Sequence, residues 1–264
     1  MRKYKTAAIT AYGEYFVYRL NFILWRVRNI LSVLTTFFLW HAVFLGRTGI
    51  FNYQRDQMLT YMLMILFTAA VVLSTRAYKI AEDINTGNLK TFLLQPANYL
   101  GLTAAREVTD KLINITFSLF EFGLLLFLLR PVIIFPRSIT TVALYFLALF
   151  LGSAIYFAFG IILSCLGFWS REVWAPRFLF YIIVTFLSGM YFPLDIVEGP
   201  VQSLLTILPF GYLVYFPISI FLERLPLTQL LYGFTIAVFW VIALLLLSKH
   251  LWRKGLRSYT AEGS

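Results

Sequence analysis

The sequence predicts an all-α integral membrane protein with six transmembrane helices, an N-terminal amphipathic interfacial helix and an outer re-entrant helical hairpin between spans five and six. Its 264 residues are 60% hydrophobic and only 13% charged, with a mean hydropathy of +0.80. One soluble core cannot bury this much apolar surface. Several apolar runs approach or exceed the roughly 20 residues that a helix needs to cross about 30 Å of hydrocarbon. Because the runs are long and continuous, they favour helices over barrel strands.

The predicted transmembrane helices cover residues 29–46, 57–75, 111–129, 138–167, 178–192 and 228–248. Another apolar stretch, residues 201–222, is long enough to span but contains Pro209, Gly211 and Pro217. Proline and glycine interrupt a helix, so we predict that residues 193–224 form a re-entrant or interfacial hairpin on the outer face. We expect the whole chain, 1–264, to be one transmembrane domain.

The distribution of lysine and arginine predicts the orientation in the membrane. With six spans, most of the 22 basic residues lie on the side of the two termini, and the opposite side keeps Arg47, Arg55, Arg130, Arg137 and Arg224. This asymmetry places both termini in the cytoplasm of a multi-pass protein of the cell inner (plasma) membrane. The net charge of +10 is spread over the loops that flank the spans. It therefore indicates contact with anionic membrane lipids and no binding of nucleic acid.

The N-terminal segment, residues 1–28, is predicted to form an amphipathic helix in the cytoplasmic interface. Aromatic and aliphatic side chains recur along it at helical spacing, and polar residues fall largely on the other side. We expect Arg19, Arg26 and Arg28 to extend toward lipid phosphates. A basic anchor in front of the first span is the simpler alternative.

Two polar residues of the third predicted span are candidates for a translocation pathway. Glu121 lies in the middle of the span, where a carboxylate is costly unless it is paired, protonated or facing water. Asn114 lies two turns earlier on nearly the same helix face. For Glu121, a role in the substrate path or gating, a hydrogen bond between helices and a different span boundary all remain open.

A polar loop, residues 76–110, separates the second and third predicted spans. Its helix-like part contains Glu82, Asp83, Gly87, Leu89, Leu93, Leu94 and Pro96. The outer hairpin segment is marked by Gly189, Pro193, Pro200, Pro209 and Pro217. Together with the N-terminal amphipathic helix, these segments resemble the type-2 ABC transporter (exporter) permeases, and most closely the single six-span permease subunits without a fused ATPase. The chain departs from the family's common Gly-Thr-Leu-Glu pattern, because Gly87 is followed by Asn88, Leu89 and Lys90.

The resemblance implies a transmembrane permease subunit of an ATP-binding cassette exporter. Two permeases, identical or diverged, would form the translocation pathway and be driven by separate ABC ATPase subunits. A short helix at residues 85–94 would present the leucines to a cleft on the ATPase, with Leu93 as the preferred anchor. The chain lacks a Walker-type loop, so we expect no enzyme activity and no cofactor in this chain, with ATP and Mg²⁺ bound by the partner ATPase.

Two other classes of protein are alternatives to the exporter. A membrane-embedded enzyme would need clustered His, Asp, Glu or Cys side chains, and this chain has two His and one Cys. A stand-alone channel or secondary transporter is the main alternative, although one intramembrane carboxylate gives little basis for ion coupling. The sequence does not indicate the transported substrate.

Overall fold

The computed structural model describes residues 19–94 and 98–259, and this part of the chain is almost entirely helical. The α-helices are α1 (Arg19–Val43), α2 (Arg55–Val72), α3 (Lys79–Asn85), α4 (Leu89–Leu93), α5 (Tyr99–Leu129), α6 (Ile139–Ser164), α7 (Trp174–Leu187), α8 (Pro200–Ile207), α9 (Tyr215–Phe221) and α10 (Leu227–Ser258). Short 3₁₀ helices cover Cys165–Phe168, Leu194–Ile196 and Pro209–Tyr212. Between α1 and α2, the two-residue strands β1 (Gly49–Ile50) and β2 (Tyr53–Gln54) form an antiparallel hairpin.

Five of the described helices are long and apolar enough to cross a membrane. The stretches that qualify are Phe22–Val43, Arg55–Val72, Tyr99–Leu129, Ile139–Phe168 and Leu227–Ser258. The predicted span at 178–192 corresponds to α7, which has 14 residues. At 1.5 Å per residue, α7 extends about 21 Å, less than the hydrocarbon thickness. The predicted helical membrane fold is therefore confirmed, whereas α7 alone is shorter than a full crossing.

The third span begins earlier than the hydropathy pattern indicates. Its helix, α5, starts at Tyr99, where the side chain of Asn98 caps it by accepting a hydrogen bond from the backbone N–H of Gly101 (3.2 Å). The predicted start at residue 111 was late because charged side chains interrupt the apolar pattern over the first turns of α5. The 31 residues of α5 would extend about 46 Å, which exceeds the hydrocarbon thickness.

Helix α2 forms the centre of the bundle. It packs against α1, α5, α6 and α9, and nearly every side chain from Met58 to Val72 is buried. A helix that is apolar on all sides is stable in such an enclosed position. The amphipathic helix predicted for residues 1–28 lies mostly outside the described residues. Its last ten residues, 19–28, form the N-terminal part of α1.

The segment after α7 packs lengthwise against α6. Its contacts run from the C-terminal half of α6 towards the start of that helix: Phe210 with Phe159 (ring centroids 5.8 Å apart), the backbone of Tyr212 with Gly152, and Phe221 with Tyr145 (5.3 Å). Glu223 then accepts a hydrogen bond from the backbone N–H of Arg137 (2.9 Å), just before α6 begins. Residues 210–223 therefore run along α6 in the opposite direction.

The glycine and prolines predicted to mark this hairpin lie at its turns and helix starts. Gly189 has φ +90°, and its carbonyl accepts a hydrogen bond from the Tyr61 hydroxyl (2.9 Å). A Cβ at this position would lie 2.7 Å from the Tyr61 oxygen, so only glycine fits. Pro193 precedes one 3₁₀ helix, Pro209 begins another, Pro200 begins α8, and Pro217 lies in the first turn of α9. Proline is tolerated at such positions because first-turn N–H groups have no partner within the helix.

Candidate translocation and coupling site

A network of charged side chains joins α1, the start of the loop after α2, and one face of α5. The α5 residues Glu107, Asp110, Lys111, Asn114 and Glu121 recur at helical spacing and face the bundle. Their partners of opposite charge are Arg26 on α1 and Arg76 after α2. Within residues 19–94 and 98–259, no group of His, Cys, Asp and Glu side chains is arranged to hold a metal ion.

The first link of this network is a bidentate ion pair between Arg26 and Glu121. The Arg26 Nε donates to Oε1 of Glu121 (2.5 Å) and its Nη2 donates to Oε2 (2.7 Å). Nη1 of the same guanidinium donates to Oδ1 of Asn114 (3.0 Å). Arg26 is only 5% exposed, so the expectation that it extends toward lipid phosphates is wrong. A carboxylate in the bundle holds this arginine more strongly than exposed headgroups would.

The second link connects α5 to the end of α2. Asn114 Nδ2 donates to Oδ2 of Asp110 (3.1 Å), and Arg76 Nε donates to Oδ1 of the same carboxylate (3.2 Å). The backbone N–H of Arg76 donates to Oε2 of Glu107 (2.9 Å), whose Oε1 lies 3.5 Å from Nζ of Lys111. Lys111 also donates to the carbonyl of Val72 (3.1 Å), where the C-terminus of α2 favours positive charge. The network thus joins the C-terminal end of α2 to one face of α5.

A cavity of about 830 Å³ opens beside this network, between α1, α2 and α7. Side chains of all three helices and of the loop after α2 line it. Asn114, predicted for the translocation pathway, is part of the lining together with Asp110. Glu121, the other predicted pathway residue, is set back from the cavity in its pair with Arg26.

The predicted coupling loop contains two short helices, α3 and α4. The single helix predicted for residues 85–94 is wrong, because the chain reverses at Gly87, which has φ +74°. The backbone N–H of Thr86 donates to the carbonyl of Glu82 (2.9 Å), and that of Gly87 to the carbonyl of Ile84 (3.2 Å). Such a left-handed residue at the end of a helix is usually glycine, since a Cβ is disfavoured there. Gly87 therefore sets the angle between α3 and α4.

Both short helices are fixed to the ends of three spans through one apolar cluster. Its buried members are Ala77, Ile80, Ile84, Leu89, Tyr99, Ile161, Cys165 and Trp252. The rings of Tyr99 on α5 and Trp252 on α10 stack with centroids 5.4 Å apart. Helix α3 also packs against the 3₁₀ helix that follows α6, and Asn85 Nδ2 donates to the carbonyl of Arg171 (3.0 Å). A displacement of α3 would therefore act on α5, α6 and α10 together.

The leucines of the loop differ in exposure. Leu89 is fully buried in the cluster, so the prediction that it offers an exposed grip to a partner is wrong. It faces inward at the first position of α4, two residues after the turn at Gly87. Leu93 and Leu94 are 44% and 87% exposed, so both present apolar surface. Pro96 lies outside the described residues.

The two acidic residues of α3 are placed differently from each other. Glu82 is exposed and also lines the cavity. Asp83 Oδ2 accepts a hydrogen bond from the Tyr99 hydroxyl (2.6 Å). Burial raises the pKa of Asp83, and the Tyr99 hydrogen bond opposes that rise. Asp83 thus connects α3 to the start of α5.

Sequence reasoning missed Arg26, Arg76, Glu107 and Asp110 as members of a buried site. All four lie near span boundaries, where charged residues normally flank the membrane. A signal was present on α5, since Glu107, Asp110 and Asn114 recur at spacings of three and four residues on one helix face. Nothing in the local sequence identifies Arg26 as the partner of a residue 95 positions away.

Comparison with known proteins adds a family to this geometry. No curated protein matches the chain. The family model described as "ABC-2 family transporter protein" matches residues 30–263. The match extends from within α1 to beyond the end of α10 and so includes the two-helix loop and most of the cavity lining. The chain therefore belongs to the ABC-2 family of transporter proteins and is a type-2 ABC transporter permease of the integral membrane class.

Proposed function

We propose that this permease forms the translocation pathway of an ABC exporter with a second permease, and that separate ATPase subunits drive it. The observation that carries the proposal is the two-helix loop, which is fixed to three spans on one side and exposes Leu93 and Leu94 on the other. A surface helix with exposed leucines suits an apolar cleft on a partner. In this proposal, the chain binds no cofactor of its own, and the ATPase binds ATP and Mg²⁺.

The loop acts as a stiff lever between the ATPase and the spans. Burial of each exposed leucine in a cleft would contribute roughly 1.5 to 3 kcal/mol before ordering costs. Movement of the cleft during ATP hydrolysis would displace α3 and α4 together, because Leu89 joins α4 to the cluster that holds α3. The same cluster would transmit the displacement to α5, α6 and α10.

The pathway itself is assigned to the cavity between α1, α2 and α7. A second permease, identical or diverged, would complete its wall. We further propose six crossings, with both termini in the cytoplasm of the inner membrane. The fifth crossing consists of α7 and the residues after it, and the hairpin at 193–224 re-enters from the outer side. The lengthwise packing of residues 210–223 on α6 supports this arrangement.

A stand-alone channel or secondary transporter is the second candidate. Ion-coupled transport needs a carboxylate that binds and releases an ion or proton. Glu121, the carboxylate in the middle of the third span predicted from the sequence, is held by two of the three guanidinium nitrogens of Arg26, Nε and Nη2. This pairing favours the exporter.

The exporter proposal is tested by co-expression with the ABC ATPase of an adjacent reading frame. We expect the two proteins to co-purify from detergent extracts. In inside-out vesicles, we expect ATP to drive uptake of a fluorescent amphiphile. The matched control is the same ATPase with its Walker lysine replaced, which keeps the docking surface and abolishes hydrolysis. Uptake that continues with this control and follows an ion gradient would overturn the proposal in favour of a secondary transporter.

A further inference from the structure

The cavity between α1, α2 and α7 has a charged end and an apolar end. The charged side chains of its lining are Arg28, Arg76, Lys79, Glu82, Asp110 and Arg177, so cations outnumber carboxylates by four to two. The apolar lining residues Val33 on α1, Ile65 and Leu66 on α2, and Met190 just after α7 lie further along the bundle from the charged loop. The lining is therefore amphipathic along the length of the cavity.

Two of these cations have no carboxylate partner in the part of the chain that the structure describes. Asp110 forms an ion pair with Arg76, so the charges of these two lining residues offset each other. Among residues 19–94 and 98–259, neither Arg28 nor Arg177 forms an ion pair. The guanidinium of Arg177 instead lies over the ring of Tyr78, 5.2 Å from its centroid. The charged end of the cavity therefore presents two guanidinium groups to whatever enters it.

The physical chemistry of this lining favours an anion. Guanidinium groups bind phosphate and carboxylate through paired N–H donors, and a site walled partly by protein strengthens the attraction relative to bulk water. The apolar end suits an alkyl or aromatic body, and the volume of about 830 Å³ falls in the range of small-molecule sites. A cationic amphiphile could use the ring faces of Trp25, Tyr156 and Tyr181, but the excess positive charge would repel it.

We propose that the cavity binds an amphipathic anion. Its phosphate, sulfate or carboxylate head lies at the end that holds Arg28 and Arg177, and its apolar body extends toward Leu66 and Met190. The inference rests on the proposed function only in one respect, namely that the bound amphiphile is transported by the permease. Binding itself requires neither the ATPase nor ATP.

The test measures binding to the purified full-length chain in phosphatidylcholine nanodiscs by calorimetry, with empty nanodiscs as the reference. The probes are dodecyl phosphate, dodecyltrimethylammonium and inorganic phosphate. We expect dodecyl phosphate to bind the wild-type chain about tenfold or more tightly than either other probe, and its affinity to fall as salt is added. Equal affinity for the two dodecyl compounds would overturn the proposal. Equal affinity for dodecyl phosphate and inorganic phosphate would show that the apolar body does not contribute to binding. It would overturn the proposal of an amphipathic ligand and leave an anion site only.

Substitutions of the two cavity arginines test where the head group binds. Arg28→Gln and Arg177→Gln are each expected to weaken dodecyl phosphate binding about tenfold, as loss of a charge-assisted hydrogen bond does. Arg253→Gln, a change at an exposed arginine outside the cavity, is the matched control and should bind as the wild type does. Wild-type affinity in both cavity variants would overturn the assignment. The comparison of probes on the wild-type chain needs no variant. It therefore tests the binding of an amphipathic anion even if a variant fails to fold.

Binding and transport are measured separately, so the two proposals fail separately. Loss of ATP-driven uptake with intact dodecyl phosphate binding would count against the exporter alone. Intact uptake of other amphiphiles without dodecyl phosphate binding would count against the anion site alone.

Discussion

Arg26 on α1 and Glu121 on α5 form a bidentate ion pair whose side chains are only 6% and 8% exposed. Desolvation of two charges opposes the attraction between them, so such a pair adds little net stability. Removal of one partner is different, since it leaves the other charge buried and uncompensated. The pair therefore specifies how α1 sits against α5.

The pair predicts strong non-additivity in a double-mutant cycle. Arg26→Met and Glu121→Leu should each destabilise the protein by about 3 to 5 kcal/mol, because each leaves a buried charge. The double variant should be less destabilised than either single one. Thermal unfolding of the purified chain in detergent measures the three values. Additive losses would show that the two side chains do not interact.

Exposed leucines of the loop should be needed for ATPase docking. We expect Leu93→Asp combined with Leu94→Asp to leave the permease inserted and folded, because both side chains are exposed. Co-purification of the ATPase should fall, since the lost apolar burial is worth roughly 1.5 to 3 kcal/mol per leucine. Leu227→Asp, at an exposed leucine at the start of α10, is the matched control. Full ATPase retention by the double variant would remove residues 82–96 as the coupling element.

A substitution at Gly87 should strain the turn between α3 and α4. Its φ of +74° lies in the left-handed region, which costs other residues about 1 to 2 kcal/mol. We expect Gly87→Ala to lower the melting temperature and to reduce ATPase stimulation. Gly123→Ala on α5, where an added Cβ meets nothing within 4 Å, should be neutral or slightly stabilising. An unchanged melting temperature for Gly87→Ala would show that this turn relaxes freely.

The orientation can be tested with single cysteines. Cys165 is the chain's one cysteine and is fully buried, so the wild-type chain should be unlabelled by an impermeant maleimide. Glu198→Cys, at an exposed hairpin position, should be labelled from outside intact cells. A reporter fused after residue 264 should be cytoplasmic. Labelling of residue 198 only in inside-out vesicles would reverse the proposed topology of the hairpin.

The half-buried position of Asp83 predicts a pH dependence of stability. Its pKa is raised, so protonation stabilises the folded state below the ordinary aspartate pKa, and this contribution is lost as pH rises through the raised pKa. Asp83→Asn stays neutral throughout. The melting temperature of the variant relative to that of the wild type should therefore increase over the pH range above the ordinary aspartate pKa of about 4. A constant difference across this range would show that Asp83 titrates as it does in the unfolded chain.

Hydropathy predicted most of the spans because the length of an apolar run is a local property. The partner of a charged side chain is not determined by its sequence neighbours. Arg26 has the neighbours of an ordinary membrane-flanking arginine, which explains why it was expected to extend toward lipid phosphates. Leu89 and Leu93 likewise look alike in the sequence, and only the turn at Gly87 decides that Leu89 faces the cluster. The end of α7 was predicted five residues too late, at 192 and not at Leu187, because the apolar residues after it belong to a turn at Gly189 and to the hairpin.

The charges of the α1–α5 network cancel, and this bears on the electrical behaviour of transport. Arg26, Arg76 and Lys111 balance Glu107, Asp110 and Glu121, and a proton passed between neighbours leaves the sum unchanged. Displacement of one net charge through the membrane potential would cost or release about 2.3 kcal/mol per 100 mV. Movement of these six side chains as a unit displaces no net charge. In the proposed transport cycle, the membrane voltage would therefore exert no net force on the network.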